Sequence, residues 1–550
     1  MRLRLPIRRI ISLRPLRPPN APRPFTQNTL PPRSARPQLP FLSSPTRRPP
    51  ARFLTTERKA WLKDEFYKAG KYTIVIQTGL FLFSVIVFGL QQEYLNHRFP
   101  SPEEWSWLTR FGWRNARSGE DDDRGVGIVD WALTGRTYRW ILQRLEDPDI
   151  DGAGLRTTDE GGILVAGIGK MGYDVTGKSE PWRRGYYECL MGAARAAEYL
   201  DGHVRDKTRG IAFPANVVIG PSNPNPRPVS PFSHSAPKEE DCEEAFEKPE
   251  VYYMRILTTQ GFTDRQRIDA ALAYAVWLDY KNTPQAAWEM HKWAVDIANA
   301  SAQTPKPIID PETGVIRTDA GAPSANILSV ATALGIHHAV NSNLTLALPI
   351  FVSVLRARRS LPEVRGTTRV APAPDTAEEE TLYQKIAATA RSILIPPKFP
   401  PPPDDGTAPP FRTPKERCEE AGVMTYIGEI LYASKASKTS REDGLAWTRE
   451  AVDLAEEELR EKSVDGDARR ICKECLETGL GNWMAMVSKL AREEEEGKKT
   501  EKRKKSASGW LGLGGGEGKD TAGRWESEEK VVVERLRRAK DILDAETVGR

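Results

Sequence analysis

The feature that most constrains this chain is an uncharged run of eighteen residues, Thr73 to Leu90, with the sequence TIVIQTGLFLFSVIVFGL. As a helix it would extend about 27 Å, because each residue adds about 1.5 Å, and that length matches the hydrocarbon core of a bilayer. Tyr72 and Tyr94 bracket the run at the depth where aromatic rings favour the membrane interface. A buried helix of a soluble domain rarely lacks a polar face over such a length. The sequence therefore predicts a transmembrane helix at residues 73–90.

The first 56 residues have the composition of a mitochondrial presequence. They contain twelve arginines and thirteen prolines but no lysine and no acidic residue. Cationic, acid-poor segments suit import into mitochondria, and the proline content predicts disorder. The alternative is a basic tail that binds nucleic acid or anionic lipid, in which lysine would normally be mixed with arginine. The net charge of +5 comes from this segment, so it does not indicate nucleic-acid binding.

The charges that flank the apolar run predict its orientation. Residues 57–72 form a basic flank, whereas residues 91–125, a predicted juxtamembrane segment, mix fewer cations with Glu93, Glu103 and Glu104. Because positive flanks are retained on the side from which insertion starts, we expect the N-terminus in the matrix. The sequence predicts a single-pass protein of the mitochondrial inner membrane, with its C-terminal domain in the intermembrane space.

Beyond the anchor, helix-like segments recur in pairs, the clearest being 266–278 followed by 284–299. Small residues stand where two helices would approach closely, as in the tetratricopeptide repeat, a helix–turn–helix unit of about 34 residues. The predicted repeat-packing positions are Ala271, Tyr274, Ala275, Ala287, Ala294, Gly335, Ala347, Phe351, Gly428 and Gly481. We therefore predict an all-α fold, a degenerate tetratricopeptide-like superhelix over residues 126–545. An unrelated helical bundle is the alternative.

Five proline-rich or highly charged segments interrupt the repeat period. They are residues 219–250, 301–323, 360–380, 393–414 and 493–529. Such compositions predict disordered insertions that loop out of the domain. The early part of the domain contains a helix-like segment at 186–200, whose partner we expect near 251–257.

The chain shows no motif for catalysis, a cofactor or a metal. A GxGxxG sequence ends at Gly172, but Gly177 and Pro181 follow where a dinucleotide site needs a helix to begin. His337 and His338 are adjacent, so on a helix their side chains diverge by about 100°. His291 occupies a predicted packing position and is interpreted as a core histidine. We predict no catalytic residue, no cofactor, no metal, no small-molecule substrate and no nucleic-acid partner.

Cys472 and Cys475 form the one CxxC pair among five cysteines. In the oxidising intermembrane space the pair could close a disulfide. The surrounding sequence is helix-like, without a second CxxC or a nearby histidine, so ordinary helix packing is the favoured interpretation.

The combination of presequence, single inner-membrane helix and degenerate repeats resembles the fungal tetratricopeptide-repeat adaptor subunit of the mitochondrial inner-membrane i-AAA protease supercomplex. The resemblance covers residues 57–545, with repeat residues in 271–294, 331–354, 427–451 and 480–539. It implies a protein-quality-control adaptor, not an enzyme, that presents misfolded or unassembled proteins to the protease. The implied partners are AAA protease subunits, unfolded or unassembled clients, and the inner membrane.

Ligands of this repeat class usually bind in the groove lined by the first helix of each pair. The candidate groove residues here are Asp279, Tyr280, Ile336, Glu429, Tyr432 and Asn482. This set lacks the lysine and asparagine pattern that clamps acidic C-terminal tails, so we expect extended, partly apolar or basic client segments. The same side chains could instead pack against neighbouring repeats.

Two other functions stay open at this point. One is an assembly or import scaffold for inner-membrane complexes, with the same repeats but different clients. The other is an uncharacterised enzyme within residues 120–215, which would require an ordered pocket with convergent polar groups.

Overall fold

The computed structural model describes the chain in nine stretches. They are residues 56–121, 129–157, 172–230, 234–302, 304–363, 399–434, 438–460, 466–508 and 523–544. The predicted presequence lies outside the described residues except for Thr56, and so does the GxGxxG segment except for Gly172. The structure is mostly helical with little strand, which confirms the helical class predicted from the sequence.

The chain divides into two units, residues 1–86 and 87–550. The described part of the first unit is helical and belongs to α1, Thr56–Arg98, which continues into the second unit. An apolar window of α1 has a mean hydropathy of 2.2 and is wholly exposed, so the helix is compatible with a single membrane span. Within it the hydroxyl of Ser84 donates to the carbonyl of Leu80 at 2.8 Å, which satisfies this polar group inside the helix.

The second unit begins with helices and two small antiparallel sheets. The helices are α2, Trp107–Glu120, α3, Trp131–Glu146, α4, Glu180–Leu200, and α5, Pro249–Thr258. The first sheet pairs β1, Arg156–Thr157, with β2, Tyr173–Asp174. The second has the strand order β4-β3-β5, with β3, His203–Asp206, β4, Ala212–Pro214, and β5, Cys242–Glu244. As predicted, the helix that contains residues 186–200 packs on the helix that contains 251–257.

Aromatic side chains form the core of this N-terminal part. Tyr138, Trp182 and Tyr186 are at most 1% exposed, and the ring of Tyr138 fills the space that a side chain at Gly192 would occupy. The predicted juxtamembrane segment takes part in this packing, since Trp105 and Trp113 are 2% and 3% exposed. Because these side chains are buried, the segment up to Asp121 is part of the folded second unit, which we call the helical unit.

Two helix hairpins with the same turn follow. They consist of α6, Asp264–Tyr280, with α7, Pro284–Ser301, and of α8, Ala325–Val340, with α9, Leu344–Arg359. Each turn contains a left-handed residue, Asn282 at φ 57° and Ser342 at φ 63°. In each turn the next amide, that of Thr283 or Asn343, donates to the carbonyl five residues earlier. The two hairpins are thus equivalent in local structure.

Four further helices lie in the described residues of the second unit after position 398. They are α10, Pro414–Ala433, α11, Lys438–Arg460, α12, Gly466–Ser508, and α13, Arg524–Asp544. Each of these helices packs on the next along the chain, and α9 packs on α10. Arg358 and Arg359 of α9 strengthen that junction, because Arg359 pairs with Glu420 at 2.7 Å and Arg358 with Glu419 at 2.9 Å. The tetratricopeptide-like superhelix itself stays a prediction.

The segments predicted as disordered insertions fold wherever the structure describes them at length. Within 301–323, Ile308, Ile309 and Ile316 are 1%, 0% and 6% exposed, and the side chain of Asn299 hydrogen-bonds both backbone groups of Ile309. Residues 242–244 of segment 219–250 form β5, and residues 493–508 continue α12. The prediction is wrong there because a few isoleucines, or a long run of helix formers, outweigh a polar, proline-rich composition.

The proline-rich segment 399–413, within the predicted insertion 393–414, packs on α4 and α8. Arg184 of α4 lies 4.3 Å from the centre of the Phe399 ring and donates to the carbonyls of Pro400 and Pro401. Farther along, Asn326 of α8 donates to the carbonyl of Asp405 at 2.9 Å. An extended proline-rich chain leaves its carbonyls without hydrogen bonds inside the segment. Donor side chains on the helices can therefore bind these carbonyls and hold the segment against the helices.

Candidate functional site

The six predicted groove residues have unequal surroundings in the structure. Tyr280, at the C-terminal end of α6, is 80% exposed, and Val276, one turn earlier on the same face, is 64% exposed. Ile336 is partly buried against the core. The other four residues already hold partners within the chain, so the predicted groove is not a continuous free surface.

The C-terminal members of the predicted set bind each other or a neighbouring helix. The amide of Asn482 on α12 donates to the carboxylate of Glu429 on α10. The Tyr432 hydroxyl donates to the carbonyl of Met486 at 3.0 Å, and Arg441 lies 5.8 Å from the centre of its ring. Burial raises the pKa of Glu429. These contacts hold α10 and α12 together, which is the packing alternative left open by the sequence.

Asp279, beside Tyr280, belongs to a polar cluster that joins three helices. Its carboxylate lies 2.8 Å from Nδ1 of His337 and accepts from the amide of Asn341 at 3.2 Å. His291 of α7 completes the cluster, since its ring centre lies 4.8 Å from that of His337. One ligand atom each from Asp279, His291 and His337 can be chosen so that all three lie within 4.8 Å of one another.

The histidines of this cluster are buried but incompletely paired. His291 is 2% exposed, and its Nδ1 has no hydrogen-bond partner among the described residues. Burial, together with the neighbouring His337, lowers the pKa of His291 to about 4. The imidazole of His291 is therefore neutral at pH 7.

His338 lies beside the cluster but faces a different neighbour. Its ring centre is 5.2 Å from that of Trp288, and its Nδ1 is also buried without a partner in the described structure. Burial lowers the pKa of His338. Sequence reasoning correctly separated His337 from His338. It missed that the left-handed turn after α6 brings His291 of the next helix back beside His337.

Nine of the ten predicted repeat-packing residues are buried. They are Ala271, Tyr274, Ala275, Ala287, Ala294, Gly335, Ala347, Phe351 and Gly428. Gly481 is exposed with open space around it, so its predicted role is wrong. The close approach on α12 occurs at Gly479, where an added Cβ would lie 2.9 Å from Val452. The buried Leu480 and Trp483 turn this face of α12 inward and leave Gly481 outside.

The disulfide in the structure does not join the two cysteines of the CxxC motif. Cys472 of α12 forms a disulfide with Cys418 of α10, and Cys475 keeps a free thiol that donates to the carbonyl of Cys418 at 3.2 Å. Burial raises the pKa of Cys475 to about 11, so it is a poor nucleophile at neutral pH. The disulfide is a link between two helices.

A cavity of about 410 Å³ lies partly within the region where the sequence left an enzyme open. Arg136, Arg139 and Arg205 line it together with Phe246. Arg139 lies over the ring of Phe246 at 4.3 Å, and Asp130 caps α3 by accepting from the amide of Leu133. The lining could hold an anion, but the residues lining it offer no pair of nucleophile and base.

Comparison of the chain with protein-family models, with curated proteins and with solved structures gives no match.

Proposed function

We propose that the chain is a membrane-anchored adaptor of the mitochondrial inner membrane that binds other proteins through its helical domain. The observation that carries the proposal is the presence, in one chain, of a helix with a wholly exposed apolar window and a run of packed helix hairpins. Stacked helix hairpins of the tetratricopeptide type commonly serve as protein-binding surfaces. The resemblance to the adaptor subunit of the i-AAA protease supercomplex names misfolded or unassembled proteins as the clients.

The proposed docking surface lies at the C-terminal ends of α6 and α8. Tyr280 and Val276 lie there on α6, and Val340, 66% exposed, ends α8 beside Asn341, whose side chain bonds Asp279. Exposed aromatic and aliphatic side chains that lie together favour contact with apolar segments of another protein. This surface supports the proposal that the clients present extended, partly apolar segments.

The disulfide supports the intermembrane space as the compartment of the helical domain. Stable disulfides form in oxidising compartments and are rare where thiol reductants are abundant. The positive flank before the apolar run favours the same orientation. Protease added to mitoplasts should therefore digest the domain, whereas intact mitochondria protect it. Protection in mitoplasts would refute the orientation.

Site-specific photocrosslinking tests the binding surface. A photoreactive residue at position 280 should crosslink to protease subunits or client proteins in isolated mitochondria. The same residue at position 432 is the matched control, because Tyr432 is engaged within the chain and should give internal crosslinks. Equal patterns of intermolecular crosslinks from both positions, or none from position 280, would place the binding surface elsewhere.

Purification of the crosslinked products separates the candidate functions. Recovery of AAA protease subunits supports the quality-control adaptor. Recovery of assembly or import factors without the protease would favour the scaffold function instead.

A further inference from the structure

We infer that Asp279, His291 and His337 form a binding site for a divalent transition-metal ion, with Zn²⁺ as the best fit. The site goes beyond protein binding, because it would join α6, α7 and α8 through a single ion. Its three ligand atoms lie within 4.8 Å of one another. Bonds of about 2.0–2.2 Å from histidine nitrogen and carboxylate oxygen to Zn²⁺ require only a small inward movement of these side chains.

The chemistry of the donors suits Zn²⁺. Two imidazoles and one carboxylate are a common protein ligand set for this ion, with a fourth position left for water or another group. Hard cations such as Ca²⁺ and Mg²⁺ prefer sets made only of oxygen. Asp279 is 15% exposed at the surface beside Tyr280, so a fourth ligand can reach the ion from solvent or from a bound partner.

The unpaired nitrogen of His291 is an independent observation for the site. A buried polar atom without a partner is costly, and such atoms occur where a ligand or an ion completes the environment. His291 is 2% exposed, its Nδ1 has no hydrogen-bond partner among the described residues, and its ring centre lies 4.8 Å from that of His337.

Asn341 provides the outer support that a metal site needs. Its amide donates to the Asp279 carboxylate at 3.2 Å and to the main-chain carbonyl of His337 at 2.9 Å, so it is fixed on α8 and orients one of the three ligands. Outer-shell groups of this kind orient the ligands and tune their affinity for the metal.

Metal titration of the full chain in detergent tests the inference. After chelation and removal of endogenous metal, Co²⁺ is titrated as a spectroscopic probe and then displaced with Zn²⁺. The wild type should bind one equivalent with nitrogen and oxygen ligation by X-ray absorption. His337→Gln and Asp279→Asn should each weaken binding about 100-fold or more, and Asn341→Ala about 10-fold.

His338→Gln is the matched control, since it removes the adjacent buried histidine but none of the proposed ligands. It should bind the metal as the wild type does. Circular dichroism checks that each variant folds. If the ligand variants do not fold, the metal affinity of Asn341→Ala tests the site instead. No binding by the wild type, sulfur ligation, wild-type affinity in the folded ligand variants, or wild-type affinity in Asn341→Ala would each overturn the site.

Discussion

Single residues decide how closely the helices of the second unit approach. Gly335 on α8 faces Phe351 on α9, and a Cβ added at Gly335 would lie 2.8 Å from the Phe351 ring. Phe351 is 0% exposed, so it has no free space into which it could move. Gly481 on α12 shares the residue type and the helical context but is surrounded by open space. The two glycines therefore differ in packing alone.

This difference predicts opposite effects of one substitution. Gly335→Ala should lower the free energy of unfolding, because overpacking costs about 1–3 kcal/mol and exceeds the gain in helix propensity. Gly481→Ala should raise it by about 1 kcal/mol, since only the propensity changes. Chemical denaturation of the two variants measures both effects. A gain in stability for Gly335→Ala would show that the helices are not in the contact described.

Asp206 illustrates a residue whose charge stabilises a turn. Hydrogen bonds from Thr208 and Arg209 lower the pKa of Asp206 to about 2, and the side chain is 2% exposed at the end of β3. A carboxylate with a lowered pKa stabilises the folded state above its unfolded pKa of about 3.9. That contribution is lost as the pH falls from about 4 towards 2.

Asp206→Asn should therefore melt at a lower temperature than the wild type at pH 7. The difference between the two proteins should narrow as the pH falls from about 4 towards 2, because the carboxyl of the unfolded wild type binds a proton in this range and the folded one only near pH 2. Glu244→Gln, in the neighbouring strand β5, controls for the change in net charge. A melting difference that stays constant from pH 7 to pH 3 would contradict the role of the carboxylate.

At the scale of elements, two equivalent turns join the helices of each hairpin, α6 to α7 and α8 to α9. Asn282 and Ser342 both adopt the left-handed conformation, which costs most residues about 1–2 kcal/mol and asparagine less. Ser342→Gly should therefore stabilise the protein more than Asn282→Gly does. Thermal melting of the two variants compares the gains, and Ser342→Val, which is β-branched, should destabilise. Equal gains from both glycines would show that the turn at Ser342 is not strained.

The disulfide between α10 and α12 is a second feature at this scale. It closes a sequence separation of 54 residues, and the loss of its chain constraint in Cys472→Ser should cost about 4 kcal/mol. Cys475→Ser is the control, because it keeps the disulfide and removes only the thiol that bonds the Cys418 carbonyl. The denatured, unreduced wild type should show three free thiols. Five free thiols would contradict the link.

Elements of the fold differ in how far the sequence predicts them. Helix pairs with small residues at the contact positions, such as Ala275 and Ala287, are predictable because the spacing is local. The packing of Ile308 and Ile309 is not, since the surrounding composition is that of a loop. The segment is held from outside, by Asn299 at Ile309 and by Ser353 at Ile316. The Cys418–Cys472 pair likewise depends on α10 lying beside α12. A pairing across helices cannot be read from the CxxC spacing.

The candidate site shows the same limit. Tyr280 could be predicted as a surface residue because its position on α6 follows from the helical period. Asp279, His291 and His337 could not be grouped, since each comes from a different helix and the turn at Asn282 fixes their approach. Helix periodicity predicts on which face of its own helix a side chain lies. Which faces meet depends on turns and on contacts between hairpins.

At the scale of the whole molecule, the apolar side chains of α1 and those of the helical unit differ in exposure. The side chains of its apolar part are exposed, with Leu82 at 55% and Phe83 at 64%, and a surface of this kind favours lipid over water. The helical unit, in contrast, buries its apolar side chains around two cores. The apolar part of α1 is therefore compatible with a single membrane span.

A charge placed in the apolar run tests this division. Leu82→Arg should reduce the fraction of protein that remains in the membrane after carbonate extraction, because an arginine near the centre of a transmembrane helix costs about 2.5–3.5 kcal/mol. Phe66→Arg is the matched control. Phe66 is 75% exposed on the same helix but lies outside the apolar run, in a segment already rich in lysine.

The control should stay in the membrane pellet, since the new charge joins others in the basic flank. The helical unit of both variants should keep its melting temperature, because neither substitution touches its two cores. Equal extraction of Leu82→Arg and Phe66→Arg would mean that residues 73–90 are not surrounded by hydrocarbon. The exposed apolar surface of α1 would then have to be covered by another protein, and the anchor proposed here would instead be a protein-binding helix.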